Sequence, residues 1–162
     1  MPISKNPRLD DVASRSIPAL IFMAAFICLP FGQLNHLTMM PWDLGDSRLT
    51  NYFLENIYQF FTGHSSSLWN TDFFYPFPLV GAFSENLFGA APAYLVPRFL
   101  GVQPDTAFQI WFLCGYLANY AAAYYALRRL GLGRFGALTG ALVFTFALPT
   151  TSYAAPHLSA VS

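Results

Sequence analysis

The stretch from Pro41 to Phe61, PWDLGDSRLTNYFLENIYQFF, decides the fold that the sequence predicts. Two acids, Asp43 and Asp46, precede a run in which apolar residues recur every three or four positions. This spacing indicates a helix with one apolar face, and Gly63 offers a natural end for it. Asp46 therefore stands at the beginning of an amphipathic helix inside an otherwise apolar chain.

The composition is that of a very apolar protein. Of its 162 residues, 55% are hydrophobic, 18% are aromatic and only 10% are charged, whereas soluble domains carry roughly 25% charged residues. This composition indicates an all-α integral membrane protein. The formal net charge is zero, so the charge balance suggests no nucleic-acid partner.

The N-terminal part is predicted to be a basic tail followed by one transmembrane helix. Residues 1–16 contain Lys5, Arg8 and Arg15 and are expected on the cytoplasmic side. Residues 17–34 are long enough to cross a hydrocarbon core of roughly 30 Å at about 1.5 Å per residue. A cleaved signal peptide is the alternative, but the apolar run exceeds the usual length of about 7–15 residues and no small-x-small cleavage site follows it.

Residues 35–105 are predicted to form a long outer loop with two juxtamembrane helices, at about 46–62 and 82–100. Residues 79–101 have the length of a membrane span, but Glu85, Pro92 and Pro97 lie inside them. A charged residue in hydrocarbon costs about 2.5–3.5 kcal/mol on insertion scales. Without a span here, six of the eight basic residues fall on the cytoplasmic side, as the positive-inside rule prefers.

Two further transmembrane helices are predicted at residues 106–127 and 135–150, joined by a basic cytoplasmic turn at 128–134. Residues 151–162 would then be a truncated outer segment, and the chain is expected to be the front part of a larger protein. Each of the two helices carries small residues four apart, which let helix backbones approach closely in lipid. These are Ala118, Ala122 and Ala126 in the first helix and Gly136 and Gly140 in the second.

Several polar residues of the predicted outer side are candidates for a functional site. Asp46 is either a helix cap, whose carboxylate accepts a hydrogen bond from a free backbone N–H, or a catalytic acid, and the two roles are compatible. Glu85 is either a carboxylate at the membrane interface or an acid facing a polar cavity. It cannot pair with Arg98 within one straight helix, because the two are thirteen residues apart. His157 is either polar surface or a further residue of the same cavity.

The sequence contains no metal signature, glycine-rich phosphate loop or Ser/His/Asp set. Cys28 and Cys114 lie in apolar runs without zinc spacing, and no cofactor is predicted. A divalent metal between Asp46 and a later acid stays an unsupported alternative. A second open question concerns three tyrosines at spacing i+4, which either pack between helices or line a polar groove; they are Tyr116, Tyr120 and Tyr124.

The order of these features resembles the opening of a GT-C type membrane glycosyltransferase. Bacterial polyprenyl-phosphate-sugar-dependent transferases, such as protein O-mannosyltransferases and lipid A aminoarabinose transferases, share this layout. The resemblance covers essentially the whole chain, but only the first part of that family's fold. The stretches that carry it, after the basic tail and first span, are GDSRLTNYF (45–53), DFFYPFP (72–78), AFSENLFG (82–89), LRRLGLGR (127–134) and APHLSAVS (155–162).

The resemblance implies transfer of a sugar from a polyprenyl-phosphate donor to an acceptor at the outer face of a bacterial plasma membrane, with the N-terminus cytoplasmic. Asp46 matches the catalytic acid of the first outer loop and would act as general base on the acceptor hydroxyl. Arg48, Arg98 and His157 are the candidates for binding the lipid phosphate, and Glu85 is a further substrate-binding candidate. The bilayer, the lipid-linked sugar and the acceptor are the expected partners.

A second hypothesis is a non-catalytic transporter or a component of polysaccharide or lipid assembly that uses the same scaffold. If Asp46 is only a helix cap, Glu85 or Asp72 becomes the candidate base. The sequence specifies neither the sugar, nor the acceptor, nor the oligomeric state.

Overall fold

The structure, a computed structural model, describes residues 20–27, 45–71, 73–83 and 87–147. Within these ranges the chain is helical, with turns between the helices and no strand. Residues 20–27 are helical, and a short 3-10 helix covers Val80–Phe83. The longer helices are α1 (Asp46–Phe61), α2 (Ala91–Phe99), α3 (Pro104–Arg129) and α4 (Arg134–Thr145).

None of the helices in the described ranges is long and apolar enough to cross a membrane. Helix α3 has 26 residues, but Gln109, Asn119 and several tyrosines interrupt its apolar run. Helix α4 has only 12 residues, whereas a span needs about 20. The prediction of a multi-pass integral membrane fold with three transmembrane helices is therefore wrong. The multi-pass location in a bacterial plasma membrane, which depends on those spans, is contradicted by the same finding.

The helices lie partly where the sequence pattern placed them. Helix α1 covers residues 46–61 of the predicted segment 46–62 and α3 covers 106–127, whereas α4 ends at Thr145, short of residue 150. Of the first predicted span, only residues 20–27 are described. The predicted basic tail and the C-terminal outer segment lie outside the described residues.

The continuous helix expected at residues 82–100 is not present. The 3-10 helix ends at Phe83, residues 88–90 form a turn, and α2 begins only at Ala91. Pro92 lies in the first turn of α2, where a proline is tolerated because the N–H that it lacks would have no intrahelical partner. Proline thus favours a helix start inside the segment rather than continuation through it.

Helices α1, α2 and α3 meet in one apolar core. Leu54 and Ile57 of α1 are buried against Tyr94 of α2 and against Ala107 and Phe108 of α3. The spacing of the two α1 residues is that of one helix face. Fully burying a Leu, Ile or Phe side chain contributes about 1.5–3 kcal/mol, so this core fixes α1 against both neighbours.

Helix α4 folds back along α3 after a turn at residues 130–133. Gly131 has a φ of 88°, a left-handed conformation that glycine adopts without a steric penalty. On α4, Ala137 and Ala141 are completely buried. A Cβ atom added to Gly140 would lie 2.6 Å from Cδ1 of Leu127, so this glycine is at a close approach of the two helices.

Candidate functional site

Asp46 is the first residue of α1 and is exposed. The N-cap position is taken by Gly45, so Asp46 is not the capping residue that the sequence allowed. A carboxylate in the first turn is nevertheless stabilised by the partial positive charge at the N-terminus of a helix. The structure therefore places the candidate base at the surface, at the N-terminal end of α1.

Asp46 and Arg48 project from different sides of α1. Residues two apart on a helix are separated by about 200° around its axis and do not face one another. Ser47, which lies between them, is buried. Arg48 is exposed. These two candidates therefore flank the buried face of α1 instead of converging.

Arg98 is bound to Glu55, a residue that the sequence pattern does not mark. The Nε and Nη2 groups of Arg98 donate hydrogen bonds of 2.8 Å to the two carboxylate oxygens of Glu55. The Tyr94 hydroxyl donates to the same carboxylate at 2.7 Å. Arg98 also donates to the carbonyl oxygen of Val102 at 2.6 Å, and its guanidinium carbon lies 4.4 Å from the centre of the Tyr58 ring. We call Glu55, Arg98 and Tyr94 the clamp, because they join α1 to α2.

The clamp is largely shielded from water. The side chains of Arg98 and Glu55 are 14% and 19% exposed, and Tyr94 is completely buried. Burial, together with the hydrogen bond to Glu55 and the charge of that group, raises the pKa of Tyr94 well above its ordinary value. The hydrogen bonds to Glu55 raise the pKa of Arg98. Tyr94 therefore stays a neutral donor and Arg98 stays a cation near neutral pH.

The structure does not bring Asp46 and Arg98 together. Glu55, which holds Arg98, lies nine residues after Asp46, about 13.5 Å along α1 and roughly half a turn around its axis. Arg98 also has each of its three nitrogens engaged by protein groups. The geometry thus gives Arg98 a structural role, between two helices and away from the candidate base.

The other sequence candidates lie outside the described residues. These are Asp43, Asp72, Glu85 and His157. In the described part of the chain, no group of three or more His, Cys, Asp or Glu side chains could hold a metal ion.

A groove of about 740 Å³ opens between the beginning of α2 and the middle of α3. Its volume lies within the range of roughly 300–1,000 Å³ that is usual for ligand pockets. Two alanines that the sequence pattern assigned to helix packing, Ala118 and Ala122, line this groove instead. We call it the α2–α3 groove. Its walls combine small and aromatic residues with one amide, and include Gly115, Ala118, Asn119, Trp111, Phe112 and Tyr116.

Two of the three regularly spaced tyrosines pack against aromatic residues. Tyr116 is buried and stacks on Phe146, with ring centres 5.9 Å apart. Tyr120 stacks on Phe22 at 4.2 Å. The packing interpretation therefore describes both residues, although Tyr116 also borders the apolar α2–α3 groove.

Comparisons of the chain with protein-family models, curated proteins and solved structures find no match.

Proposed function

We propose that the chain binds a polyprenyl-phosphate-linked sugar and takes part in transferring that sugar to an acceptor hydroxyl. The α2–α3 groove is the observation that supports this proposal most directly. Its walls are largely apolar, and its aromatic and small residues offer a cleft to a branched hydrocarbon chain. Removing such a chain from water contributes about 25 cal/mol per Å² of apolar surface. The groove is thus suited to the isoprenoid part of the donor.

Asp46 is the residue that the resemblance assigns to the chemistry. Its carboxylate would take the proton of the acceptor hydroxyl while that oxygen attacks the anomeric carbon of the donor sugar. The bond from the sugar to the lipid phosphate would break, and the phosphate would leave with the bonding electrons. General-base catalysis of this kind contributes about 10²–10⁴ in rate.

One hydrogen bond ties the beginning of α1 to the beginning of α3. Asn51 donates to the carboxylate of Asp105 at 3.2 Å. Asp46 precedes Asn51 by five residues, and Trp111 in the groove follows Asp105 by six. At the helical rise, these separations place Asp46 and the groove within a path on the order of 25 Å. A single long isoprenoid with its phosphate and sugar can extend over such a path.

Filling the groove tests the lipid part of the proposal. Around Gly115, a Cβ atom would meet nothing within 4 Å, so Gly115→Trp can occupy the groove without a clash near the backbone. We expect Gly115→Trp to weaken binding of a fluorescent polyprenyl phosphate at least tenfold. Gly136→Trp, on α4 outside the groove, is the matched control and should bind as the unchanged chain does. Equal affinities for the two variants would overturn the assignment of the groove.

Replacing Asp46 tests the chemical part. Asp46→Asn should keep the folded yield and the affinity for polyprenyl phosphate, and should slow sugar transfer at least a hundredfold. Asp43→Asn is the neighbouring control and should have a mild effect. Transfer by Asp46→Asn within a few fold of the unchanged protein would exclude Asp46 as the base.

The second candidate function is handling of the lipid-linked sugar without transfer, as in transport or polymer assembly. The observation that favours it is the arrangement of the two cations. The guanidinium of Arg98 is bound by Glu55. Arg48 projects from the side of α1 opposite to Asp46, so neither cation converges with Asp46 on one point. Binding or movement of a labelled lipid-linked sugar without release of the sugar would support this function over transfer.

A further inference from the structure

The turn that joins α3 to α4 carries a cluster of positive charge. Arg128 and Arg129 are the last residues of α3, and Arg134 is the first residue of α4. All three arginines are exposed. We call residues 125–135, which form this end of the helical hairpin, the basic tip.

The hairpin contains no acid close to these arginines. After Asp105 the sequence has three arginines and neither Asp nor Glu. Asp105 precedes Arg128 by 23 residues, which is about 35 Å along α3. Helix α1, which carries Asp46 and Glu55, packs against the beginning of α3 and not against its end. Exposed charges are screened beyond roughly 8–10 Å at physiological ionic strength, so the positive charge of the basic tip is not balanced within the hairpin.

One of the three arginines does not stabilise the helix that carries it. Arg128 and Arg129 lie in the last turn of α3, where a cation complements the partial negative charge of the helix C-terminus. Arg134 begins α4, where the helix end is itself partly positive and a cation is unfavourable. The position of Arg134 therefore favours a role towards an anionic partner outside the chain.

Large apolar side chains are exposed beside the arginines. Leu130 is 75% exposed and Phe135 is 63% exposed, and Tyr125 and Leu132 are exposed as well. Contact with the phosphates of a nucleic acid would leave the aliphatic side chains in water. A lipid surface can bury them, because segments with Arg beside Leu and Phe insert at the boundary between headgroups and acyl chains.

The combination of charge and apolar exposure distinguishes the basic tip from another exposed apolar region. Phe74, Phe77 and Phe83 are also exposed, but residues 73–83 contain no charged residue. An anionic lipid surface would attract only the basic tip by its charge. The charge complementarity therefore selects the tip, and the apolar side chains select lipid over a polar polyanion.

Hydrogen bonds and a ring contact fix the shape of the tip. The Nη1 group of Arg128 donates to the carbonyl oxygen of Leu132 at 2.9 Å, and the backbone N–H of Leu132 donates to Leu127 at 3.2 Å. The guanidinium carbon of Arg129 lies 5.0 Å from the centre of the Tyr125 ring. Because the tip is ordered without a partner, binding costs little conformational entropy.

We propose that the basic tip docks the protein on the surface of a membrane that contains anionic lipids. Arg129 and Arg134 lie at the level of the lipid phosphates, and Leu130 and Phe135 enter the boundary of the acyl chains. This contact needs no membrane-spanning helix. It is independent of the proposed function, because the residues that line the α2–α3 groove do not include those of the basic tip.

Flotation of the purified chain with lipid vesicles tests the charged part of the proposal. The vesicles contain either phosphatidylcholine alone or equal amounts of phosphatidylcholine and phosphatidylglycerol. We expect at least tenfold tighter binding to the anionic vesicles, and loss of this preference at high salt. Arg134→Gln should weaken binding to the anionic vesicles about fivefold. Arg48→Gln removes an exposed charge from α1 and is the matched control, which should bind as the unchanged chain does.

A second pair of variants tests the apolar part. Leu130→Gln should weaken binding to the anionic vesicles at least threefold, because the side chain no longer enters the acyl-chain boundary. Val143→Gln, at a similarly exposed position of α4 outside the tip, is the control and should have no effect. Both side chains are exposed, so the melting temperatures should stay unchanged.

Equal binding to the two kinds of vesicle, or equal affinities of Arg134→Gln and Arg48→Gln for the anionic ones, would overturn the proposal. Binding of a short RNA that Arg134→Gln weakens, without a preference for phosphatidylglycerol, would also overturn it and assign the tip to a nucleic acid. Failure of the proposed function looks different. Gly115→Trp should still dock on the anionic vesicles, and Arg134→Gln should keep its affinity for polyprenyl phosphate.

Discussion

The junction of α1 with α2 and the hairpin of α3 with α4 are held together by different interactions. At the first, the clamp adds an ion pair and a phenol hydrogen bond to a buried apolar core. At the second, the buried side chains of α4 are small, and the buried Thr145 hydroxyl donates to Ala141 of its own helix at 2.7 Å. The first junction should therefore be sensitive to lost polar groups, and the second to added volume.

The difference also concerns how the α2–α3 groove is positioned. The beginning of α2 forms one wall of this groove, and α2 packs against α1. The clamp links these two helices. A shielded ion pair adds little net stability, since both charges lose water, yet removal of one partner is costly. We infer that the clamp fixes the position of α2 on α1, and with it the position of one wall of the α2–α3 groove.

The largest expected effect is that of breaking the clamp. Arg98→Met leaves the carboxylate of Glu55 shielded without its cation, and we expect a loss of about 3–5 kcal/mol in the free energy of unfolding. Urea denaturation measures it. Arg48→Met, at an exposed position of α1, is the control and should change stability by less than about 0.5 kcal/mol. The double variant Glu55→Met/Arg98→Met should recover most of the loss. A single-variant loss below about 1 kcal/mol would show that the clamp does not hold α2.

Local patterns in the sequence predict the helices well and their partners poorly. The three-and-four spacing after Asp46 coincides with α1, and the basic segment at residues 128–134 overlaps the turn between α3 and α4. The clamp gives no such signal, because Glu55 and Arg98 are 43 residues apart. Arg98 was a candidate for binding phosphate only because it carries a positive charge. The fold shows that its guanidinium is already paired with Glu55.

The overall apolar composition misled the prediction of the fold class. Hydropathy averaged over the chain does not distinguish a continuous apolar span from a helix such as α3, where Gln109 and Asn119 interrupt the run. The polar cavity that Asn56 and Thr71 both line was equally hidden, because these residues come together only when the loop after α1 folds back on that helix. Asp46 could be located at a helix start from spacing, but its chemistry stays a prediction.

The second effect isolates the phenol of the clamp. Tyr94→Phe removes a 2.7 Å hydrogen bond to the carboxylate of Glu55 and leaves the ring in the core. Hydrogen bonds to charged groups contribute about 1.5–3 kcal/mol, so we expect a loss in that range by urea denaturation. Tyr125→Phe, at an exposed position on α3, is the control and should be neutral. Equal stabilities of the two variants would mean that Arg98 alone satisfies Glu55.

The third effect probes the hairpin through added volume. Gly140→Leu must displace Leu127, which already lies 2.6 Å from the position of an added Cβ atom. Overpacking of this kind costs about 1–3 kcal/mol, and the folded yield should fall accordingly. Leu142→Ala, on a different face of α4, should reduce the yield far less. Comparable yields from the two variants would show that the approach of α3 and α4 at Gly140 is not limiting.

The smallest effect separates the two glycines of the G-x-x-x-G pattern. Around Gly136, an added Cβ atom would meet only Cδ2 of Leu132, at an ordinary contact distance of 3.9 Å. Gly136→Ala should therefore stabilise the chain by about 0.5 kcal/mol, because alanine loses less backbone entropy in a helix. Gly140→Ala should show no such gain, since Leu127 has to move. An equal gain in stability at both positions would mean that the Leu127 side chain moves aside at no cost. The G-x-x-x-G pattern would then reflect helix propensity and not a close contact between α3 and α4.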